Sequence, residues 1–342
     1  MSLATPPLAL TLGDPAGIGL DVTLLAFAVR NDEAIPPFVF LGDTDLLDAR
    51  AQALDLSFPI VTVQTPAEAI RVFRDGLPVL PIPVSGAVTA GAPNIEAMDA
   101  VRASIETAVA LVQRGEVSAV VTNPVSKSHL YQAGFEFPGH TEYLAALVEG
   151  VEQAPHPVMM LAAGSFKVVP TTIHIPLKAV TQVLTPDLLT QTIRITDQDL
   201  RRFFALDRPR IAVSGLNPHA GEEGRLGEEE VDVIAPAIAA GREAGIDVSG
   251  PYPADTMFHG GARERYDAAI CMYHDQALVP FKTLAFDEGV NVTLGLPFIR
   301  ASPDHGTAFD IAGTGKANPR SLIEALRLAD TMAKTAFGQT ER

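Results

Sequence analysis

Short apolar runs typical of buried strands alternate with helical patterns along the whole chain, and this alternation most restricts the possible fold. Such runs lie at residues 8–12, 37–42 and 117–122, and a helical pattern follows each of them. Further strand runs begin near residues 158 and 210. Strands that alternate with helices in this way predict an α/β fold with an open, mostly parallel sheet.

The length and the single cysteine set further bounds. A chain of 342 residues is long enough for two domains, or for one large α/β unit with a deep cleft. No apolar run reaches the roughly 18 residues that a membrane span needs, and the N-terminus lacks a basic region followed by an apolar one. Because Cys271 is the only cysteine, an internal disulfide is excluded and a cytoplasmic location is expected.

The charge balance restricts the partners. Acidic residues outnumber basic ones by 41 to 25, which gives a formal net charge of −16. This field repels nucleic acid and anionic membranes, so we expect neither as a partner. An anionic substrate would therefore need a local cluster of Lys, Arg and His side chains.

Residues 272–319 have the composition of an active-site wall. The segment places two His, two Lys, one Arg and several Asp among glycines and short apolar runs. A buried core accepts such polar groups only when they are paired. Within it, Arg300 can bind a carboxylate or phosphate with two parallel hydrogen bonds. A buried Lys282 with a lowered pKa could exchange protons, and Asn291 lies between the two.

Three histidines share one position relative to the predicted strands. His174, His219 and His274 each follow a buried strand within a few residues, and open α/β sheets bind ligands at these carboxyl ends. Any one of them could be a structural histidine, and their separations match no short metal motif. Together they favour a divalent metal site, with zinc expected first. Asp255 and Asp275 are candidate orienting groups, acids or bases.

Two loops are candidate anion sites. Residues 13–19 (GDPAGIG) join a strand to a helix, and backbone N–H groups at a helix N-terminus attract anions. The alternative is a tight turn that binds nothing. His140 and Thr141 lie where another helix is expected to begin and suit a phosphate or carboxylate, unless Thr141 is only a helix cap. Thr44, Thr185 and Ser321 are also expected to cap helices, whereas His129, His156 and His259 suggest no function.

The chain resembles the PdxA family of 4-hydroxythreonine-4-phosphate dehydrogenases over nearly its full length. Eight motifs in order carry this resemblance, which makes a chance match untenable. They are GDPAGIG (13–19), PGHTE (138–142), TTIHIPL (171–177), GLNPHAGE (215–222), PADT (253–256), MYHDQ (272–276), GVNVTLGLPFIR (289–300) and DHGTA (304–308).

The resemblance implies an isocitrate/isopropylmalate dehydrogenase-like fold with two α/β domains flanking a cleft. The first domain would comprise residues 1–140 plus 300–342, and the second, residues 141–299, would carry the interface of a homodimer. The active site would be shared between subunits, so that one metal-binding histidine comes from the partner. Two departures from the family pattern stand out: Leu20-Asp21 replaces Pro-Glu, and Ala277 replaces a glycine.

The resemblance also assigns roles to residues. A divalent metal (zinc, magnesium or cobalt) would bind the three histidines named above, and Lys282, Asp275 or Asp255 would serve in catalysis. The residues implied in substrate binding are His140, Thr141, Lys282, Asn291 and Arg300. Those implied in holding NAD are His305, Gly306, Asp310 and Asn318.

The implied reaction is the NAD-dependent oxidation of 4-phosphooxy-L-threonine at C3. Decarboxylation would follow and give 3-amino-2-oxopropyl phosphate for pyridoxal phosphate (vitamin B6) synthesis. A related group oxidises 4-phospho-D-threonate or 4-phospho-D-erythronate in sugar-acid catabolism and is the alternative. Two further hypotheses involve no dehydrogenase reaction. One is a metal-dependent phosphohydrolase that does not use NAD, and the other is a periplasmic-type binding protein. The absence of a visible leader and the three histidines disfavour the binding protein.

Overall fold

The computed structural model describes residues 5–137, 139–148, 150 and 154–340. These residues form twelve strands: β1 (Leu8–Thr11), β2 (Phe38–Gly42), β3 (Ile60–Thr62), β4 (Leu77–Pro81), β5 (Val120–Val121), β6 (Val158–Ala163), β7 (Phe166–Pro170), β8 (Arg210–Ser214), β9 (Asp247–Tyr252), β10 (Ala268–Cys271), β11 (Val290–Leu294) and β12 (Arg300–Pro303).

The same residues form twelve α-helices and several short 3₁₀ turns. The helices are α1 (Gly19–Ala28), α2 (Thr44–Ala53), α3 (Pro66–Val72), α4 (Met98–Gln113), α5 (Lys127–Gln132), α6 (His140–Ala146), α7 (Val180–Val183), α8 (Pro186–Phe204), α9 (Ala235–Glu243), α10 (Gly260–Arg263), α11 (His274–Ala285) and α12 (Arg320–Thr340). Among the described residues, no helix is both long and apolar enough to cross a membrane.

Two compact units divide the chain. Unit 1 comprises Met1–Pro157 and Leu296–Arg342, and unit 2 comprises Val158–Gly295. The sequence placed these divisions after residues 140 and 299. The first difference has a local cause, because Tyr143 on α6 donates a hydrogen bond of 2.5 Å to Glu106 of α4 and so ties α6 to unit 1.

Unit 1 contains a wholly parallel sheet in the order β3-β4-β2-β1-β5-β12. Its central strand β1 is buried along its full length, as expected when helices cover both faces of a parallel sheet. Helix α4 packs on β1, and the spacing of its buried residues Val101, Ile105 and Ala108 places them on one helical face. The phenyl rings of Phe27 and Phe38 both pack edge-on against Phe73.

Unit 2 contains a mixed sheet in the order β11-β6-β7-β10-β8-β9. Strands β7, β10, β8 and β9 are parallel, whereas β6 pairs antiparallel with both β7 and β11. The tight β6–β7 connection needs Gly164, which adopts a left-handed φ of 54°. In the core, the rings of Phe166 and Phe281 stack with centroids 5.4 Å apart. The α/β fold class expected from the sequence is thus confirmed.

Two of the three expected helix caps were wrong. Thr185 caps α8 as predicted, because its Oγ1 accepts a hydrogen bond from the Leu188 N–H at 3.2 Å. Asp43 rather than Thr44 caps α2, and its carboxylate accepts from two backbone N–H groups of the first turn. Ser321 does not cap α12. Its hydroxyl instead accepts from the Asp304 N–H at 2.9 Å, which ties the helix start to the preceding loop.

Candidate active site

Three neighbouring strands of unit 2 precede the three predicted metal ligands. Strand β10 lies between β7 and β8 and is parallel to both. His174 follows β7, His274 follows β10, and His219 follows β8. Since the carboxyl ends of parallel neighbours meet at one sheet edge, the fold gathers the three histidine-bearing loops where α/β proteins bind ligands.

His174 and His274 lie beside each other at the edge of a cavity. Their imidazole centroids are 5.7 Å apart, with the ring planes inclined by 45°. The cavity has a volume of about 280 Å³. The residues that line it are Ile173, His174, Ile175, Leu177, Val180, Tyr273, His274 and Asp275. Apolar walls with a few convergent polar groups are typical of a small-molecule site.

Asp275 orients the ring of His274. The Nδ1 atom of His274 lies 2.6 Å from a carboxylate oxygen of Asp275. A carboxylate on Nδ1 leaves Nε2 as the atom that can bind a metal, and such contacts are usual around metal-binding histidines. Two imidazoles at this separation, one of them oriented in this way, fit the donor set of a divalent transition metal.

His219 lies in a turn of unusual backbone conformation. The five residues from His219 to Glu223 all adopt left-handed φ angles between 43° and 75°. Four of them are not glycine, and each such residue costs about 1–2 kcal/mol in this conformation. Within the described part of a single chain, no group of three His, Cys, Asp or Glu residues is placed to hold a metal. The expectation that a partner subunit completes the three-histidine set stays a prediction.

Gln276 joins the ends of β8 and β10. Its side-chain oxygen accepts hydrogen bonds from the Met272 N–H and the Ser214 hydroxyl, at 2.7 and 2.9 Å. Its Nε2 donates to the Gly215 carbonyl at 2.8 Å. The residue thereby fixes the loops that begin toward His219 and His274. Sequence reasoning missed this role, although Gln276 closes the MYHDQ motif.

Thr172 links the loops of His174 and His274. Its hydroxyl donates a hydrogen bond to the Met272 carbonyl at 2.7 Å, and its own N–H contacts the same oxygen at 3.2 Å. The preceding Thr171 N–H donates to the Cys271 carbonyl at 2.7 Å. The two ligand loops are therefore held to each other by backbone-anchored bonds, which restricts how far the two imidazoles can separate.

The other predicted residues of unit 2 occupy three elements. Asp255 is exposed in the 3₁₀ turn Ala254–Thr256. Lys282 lies on α11, about two turns after His274, with its Nζ 5.4 Å from the centre of the Phe286 ring. Asn291 is half-buried on β11, opposite Leu161 of β6. Their predicted catalytic and substrate-binding roles stay predictions.

Arg300 is a buried cation in unit 1. It begins β12, is only 5% exposed, and donates a hydrogen bond from Nη2 to the Thr122 hydroxyl at 2.7 Å. Burial lowers the pKa of its guanidinium to about 10. The group therefore keeps its positive charge at neutral pH, although water barely reaches it. A buried cation of this kind is suited to bind a carboxylate or phosphate.

The second predicted anion-binding element of unit 1 is the start of α6. The helix begins at His140, after Gly139 as its N-cap, and Thr141 is its half-buried second residue. Thr141 is therefore inside the helix rather than its cap. The side chain of His140 lies outside the described residues, so its predicted role in substrate binding stays a prediction.

The four residues implied in holding NAD lie in residues 305–318, here called the predicted NAD segment, and each has different surroundings. The Nδ1 atom of His305 lies 3.1 Å from the Gly306 carbonyl oxygen, and a Cβ at Gly306 would meet only open space. Asp310 is exposed in the turn Phe309–Ile311. The side-chain oxygen of Asn318 accepts from the Arg320 N–H at 3.0 Å, at the start of α12. Asn318 thus has a structural task that sequence reasoning missed.

Four backbone N–H groups of the GDPAGIG loop donate hydrogen bonds to oxygens of unit 1. The Asp14 N–H donates to the Pro124 carbonyl at 2.9 Å, and the Ala16 and Gly17 N–H groups donate to oxygens of Asp14. The Ile18 N–H donates to the Thr307 carbonyl at 2.9 Å. These bonds hold the loop against the segments after β5 and β12. The N–H groups of residues 19–21, which begin α1, are not among these donors, so the anion-binding interpretation stays a prediction.

Asp21 and Arg50 anchor the far side of the same segment. Asp21 is fully buried and forms an ion pair with Arg50, which also donates to the carbonyls of Gly17 and Pro15. The other Asp21 oxygen accepts from the Gly313 N–H at 2.7 Å. The shorter carboxylate that departs from the family pattern therefore still bridges helix α1 to the predicted NAD segment.

A second buried acid lies nearby. Asp14 is fully buried, and burial raises the pKa of its carboxyl group. The Nδ1 atom of His129 is 3.7 Å from Asp14 Oδ2, and the His129 ring packs edge-on against Phe309 with centroids 5.6 Å apart. His129, to which the sequence assigned no function, therefore links this acid to the predicted NAD segment.

Comparison with known proteins gives consistent findings. A model of the family described as Pyridoxal phosphate biosynthetic protein PdxA matches residues 33–329. The 4-hydroxythreonine-4-phosphate dehydrogenase of Methylorubrum populi is 56% identical over 332 residues, covering 96% of this chain and 95% of that protein. Its counterpart from Bradyrhizobium diazoefficiens is 54% identical over 337 residues, covering 96% and 98%. The crystal structure of the Klebsiella pneumoniae enzyme has a TM-score of 0.85 at 38% identity, covering 96% of this chain and 100% of that one.

Proposed function

The chain belongs to the PdxA family of pyridoxal phosphate biosynthetic proteins, and from this premise we propose that it is a 4-hydroxythreonine-4-phosphate dehydrogenase. The reaction is the oxidation of 4-phosphooxy-L-threonine at C3 followed by decarboxylation. One observation carries the proposal: the paired imidazoles of His174 and His274 at the edge of one cavity, in loops gathered by neighbouring parallel strands.

The proposal places a divalent metal at His174, His219 and His274, with zinc first and magnesium or cobalt as alternatives. When bound, the metal would polarise the substrate hydroxyl as a Lewis acid and NAD would accept a hydride. The chain's own part is to orient the imidazole nitrogens that would bind the metal. Asp275 does this for His274, because its contact with Nδ1 at 2.6 Å leaves Nε2 toward a metal.

The remaining chemistry of the chain is proton transfer. The C3 hydroxyl loses a proton and C3 loses a hydride, which together leave a β-keto acid that then releases carbon dioxide. Lys282 is the first candidate for the base, and Asp275 or Asp255 acting through water are the alternatives. A positioned base of this kind typically accelerates a reaction about 10²- to 10⁴-fold.

Five residues are proposed to bind the phosphorylated substrate: His140, Thr141, Lys282, Asn291 and Arg300. Arg300 has the strongest support, since it is a buried guanidinium that stays charged at neutral pH. For NAD, the proposal assigns His305, Gly306, Asp310 and Asn318. The exposed carboxylate of Asp310 would accept from ribose hydroxyls and would disfavour the additional phosphate of NADP.

The proposal includes a homodimer. One face of α11 and its C-cap carries four residues at spacings of four, three and four, here called the α11 stripe: Asp275, Val279, Lys282 and Phe286. Val279 and Phe286 are 62% and 69% exposed. A second copy that covers this stripe would bury the apolar side chains and bring its own residues toward the predicted catalytic ones. The buried thiol of Cys271 is in keeping with a cytoplasmic location.

The test is NADH formation by the purified protein with NAD and a divalent metal. We expect faster turnover of 4-phosphooxy-L-threonine than of 4-phospho-D-threonate, because the similar proteins named above act on the former according to their names. Preference for 4-phospho-D-threonate would move the protein to sugar-acid catabolism. Phosphate release without NADH would indicate a phosphohydrolase, and binding without turnover would indicate a binding protein.

A further inference from the structure

The turn that carries His219 needs an external support. Its left-handed residues His219, Ala220, Glu222 and Glu223 all have a side chain, and such a run does not persist unless the surroundings over-determine it. The hydrogen bonds that tie down its entry are therefore as important to the position of His219 as the residue itself.

Glu230 supplies this support from eleven residues further along the chain. Glu230 is only 4% exposed. One oxygen accepts from the Leu216 N–H and the Asn217 N–H, each at 2.7 Å. The other oxygen accepts from the Asn217 side-chain amide at 3.0 Å. Three donors thus converge on one buried anion just before His219, and bonds to an ionised acceptor are the strong ones.

Two glycines enclose the same carboxylate. A Cβ at Gly221 would lie 2.5 Å from one carboxylate oxygen of Glu230, and a Cβ at Gly215 would lie 2.9 Å from the other. The Gly215 Cβ would also lie 2.9 Å from the Ala220 Cα. The carboxylate is therefore seated between the entry of the turn and its middle, and it can move only if the turn moves.

We infer that Glu230 is a positioning residue, which holds the His219 turn in the conformation needed for metal binding. The inference rests on the proposed role of His219 as a metal ligand. This role explains the left-handed turn. A turn that is already formed lowers the free-energy cost of ordering the His219 side chain when the metal binds.

The test is the metal affinity of purified Glu230→Gln, measured by competition with a fluorescent zinc chelator. We expect binding to weaken about 10- to 100-fold, the range typical for loss of a group that orients a ligand. Glutamine is neutral and has only one side-chain oxygen. When this oxygen accepts from the two backbone N–H groups, the NH₂ group of the glutamine faces the Asn217 amide in place of an acceptor. In turnover assays, the metal concentration for half-maximal activity should rise, whereas kcat at saturating metal should stay within about threefold of wild type.

Glu229→Gln is the matched control. Glu229 is adjacent and contacts the same Asn217 amide at 2.7 Å, but it accepts from neither backbone N–H of the turn entry in the structure. Its zinc affinity should remain within about twofold of wild type. Zinc affinity of Glu230→Gln equal to that of this control would overturn the inference.

Two further variants keep the outcomes separable. His219→Ala reports on the proposed function itself: unchanged zinc affinity there would remove His219 from the metal site. If His219→Ala loses zinc binding while Glu230→Gln keeps the wild-type zinc affinity, only the positioning role of Glu230 is contradicted. Should Glu230→Gln fail to show a cooperative thermal transition, Glu230→Asp replaces it, since it keeps the charge but draws the carboxylate back from the Leu216 and Asn217 N–H groups. A zinc affinity unchanged in Glu230→Asp then contradicts the inference.

Discussion

Asp21 shows how one residue connects segments that are remote in sequence. Its two oxygens bind Arg50 and the Gly313 N–H, which lie 29 and 292 positions away. The sequence drew attention to Asp21 only because it is shorter than the glutamate usual in the family. It could not identify Arg50 as the partner, since nothing in the local pattern specifies that this arginine of α2 points inward.

Replacing Asp21 by Asn should destabilise unit 1 strongly. The change keeps an oxygen for the Gly313 N–H but leaves the Arg50 charge buried without a counter-ion. Removing one partner of a buried ion pair typically costs about 3–5 kcal/mol. Urea unfolding should report this loss.

Asp99→Asn is its control, because the Asp99–Arg102 pair has side chains 79% and 38% exposed. Its free energy of unfolding should change by less than about 1 kcal/mol. Equal losses in the two variants would mean that the buried pair contributes no more than a surface one.

Asp199 makes the stability of unit 2 depend on pH. It is buried on α8 and accepts from the Gly295 N–H at 2.7 Å. Burial raises the pKa of its carboxyl group to about 6, against the opposing effects of that bond and of Arg202. Because the folded state binds the proton more tightly, this group's contribution is fully present below the unfolded pKa of 3.8 and is lost as the pH rises through about 6.

Asp199→Asn should therefore be more stable than wild type at pH 8, by about 3 kcal/mol, and by only about half as much at pH 5, where part of the wild-type carboxyl is still protonated. The amide keeps an oxygen for the Gly295 N–H and cannot ionise. Thermal unfolding at the two pH values measures the difference. Asp197→Asn, which breaks an ion pair with Arg201, should show no such gain at pH 8. A variant less stable than wild type at pH 8 would contradict the role of burial.

At the scale of elements, the sequence predicted which segments form helices better than where they begin. The pattern of residues 95–114 predicts one long helix, and the structure has the turn Ile95–Ala97 followed by α4 there. Thr185 caps α8, as its Thr-Pro pair indicates. The starts of α2 and α12 were misplaced because Asp43 caps α2 and Asn318 accepts from the Arg320 N–H, so that Thr44 and Ser321 lie inside their helices. Which side chain wins depends on the loop path before the helix, which local propensity does not encode.

The end of α8 offers a stabilising substitution. Ala205 is the C-cap of this helix, is exposed, and adopts a left-handed φ of 55° that a side chain disfavours. Ala205→Gly should raise the free energy of unfolding by about 0.5–1 kcal/mol, because glycine removes the strain at this position.

Ala239→Gly tests the conformational explanation of that gain. Ala239 is equally exposed but lies in the interior of α9, where glycine should lower stability by about 1 kcal/mol. Urea unfolding of both variants measures the change in the free energy of unfolding, which should be positive for Ala205→Gly and negative for Ala239→Gly. If Ala205→Gly lost stability as Ala239→Gly should, strain at the C-cap would be too small to matter.

At the scale of the whole molecule, the candidate site was predictable in part. The rule that α/β sheets bind ligands at strand ends was enough to group His174, His219 and His274, and β7, β10 and β8 are indeed neighbours. Gln276 and Glu230 were not predictable, because their importance comes from hydrogen bonds to backbone groups of other loops. The predicted sharing of a site between subunits rests on the resemblance alone, since no pattern within one chain encodes it.

The proposed homodimer gives the last prediction. Wild-type protein should sediment at twice the 36.2 kDa mass of the chain, and Val279→Asp should sediment as a monomer. The change places a charge in the middle of the α11 stripe, where a dimer would bury it without a partner. Ile70→Asp is the control, because Ile70 is 41% exposed on α3 of unit 1, and it should remain dimeric. Since a shared site is incomplete in one chain, monomeric Val279→Asp should also lose NADH formation. A fully active monomer would show that one chain holds the complete site, and the third metal ligand would then have to come from the same subunit.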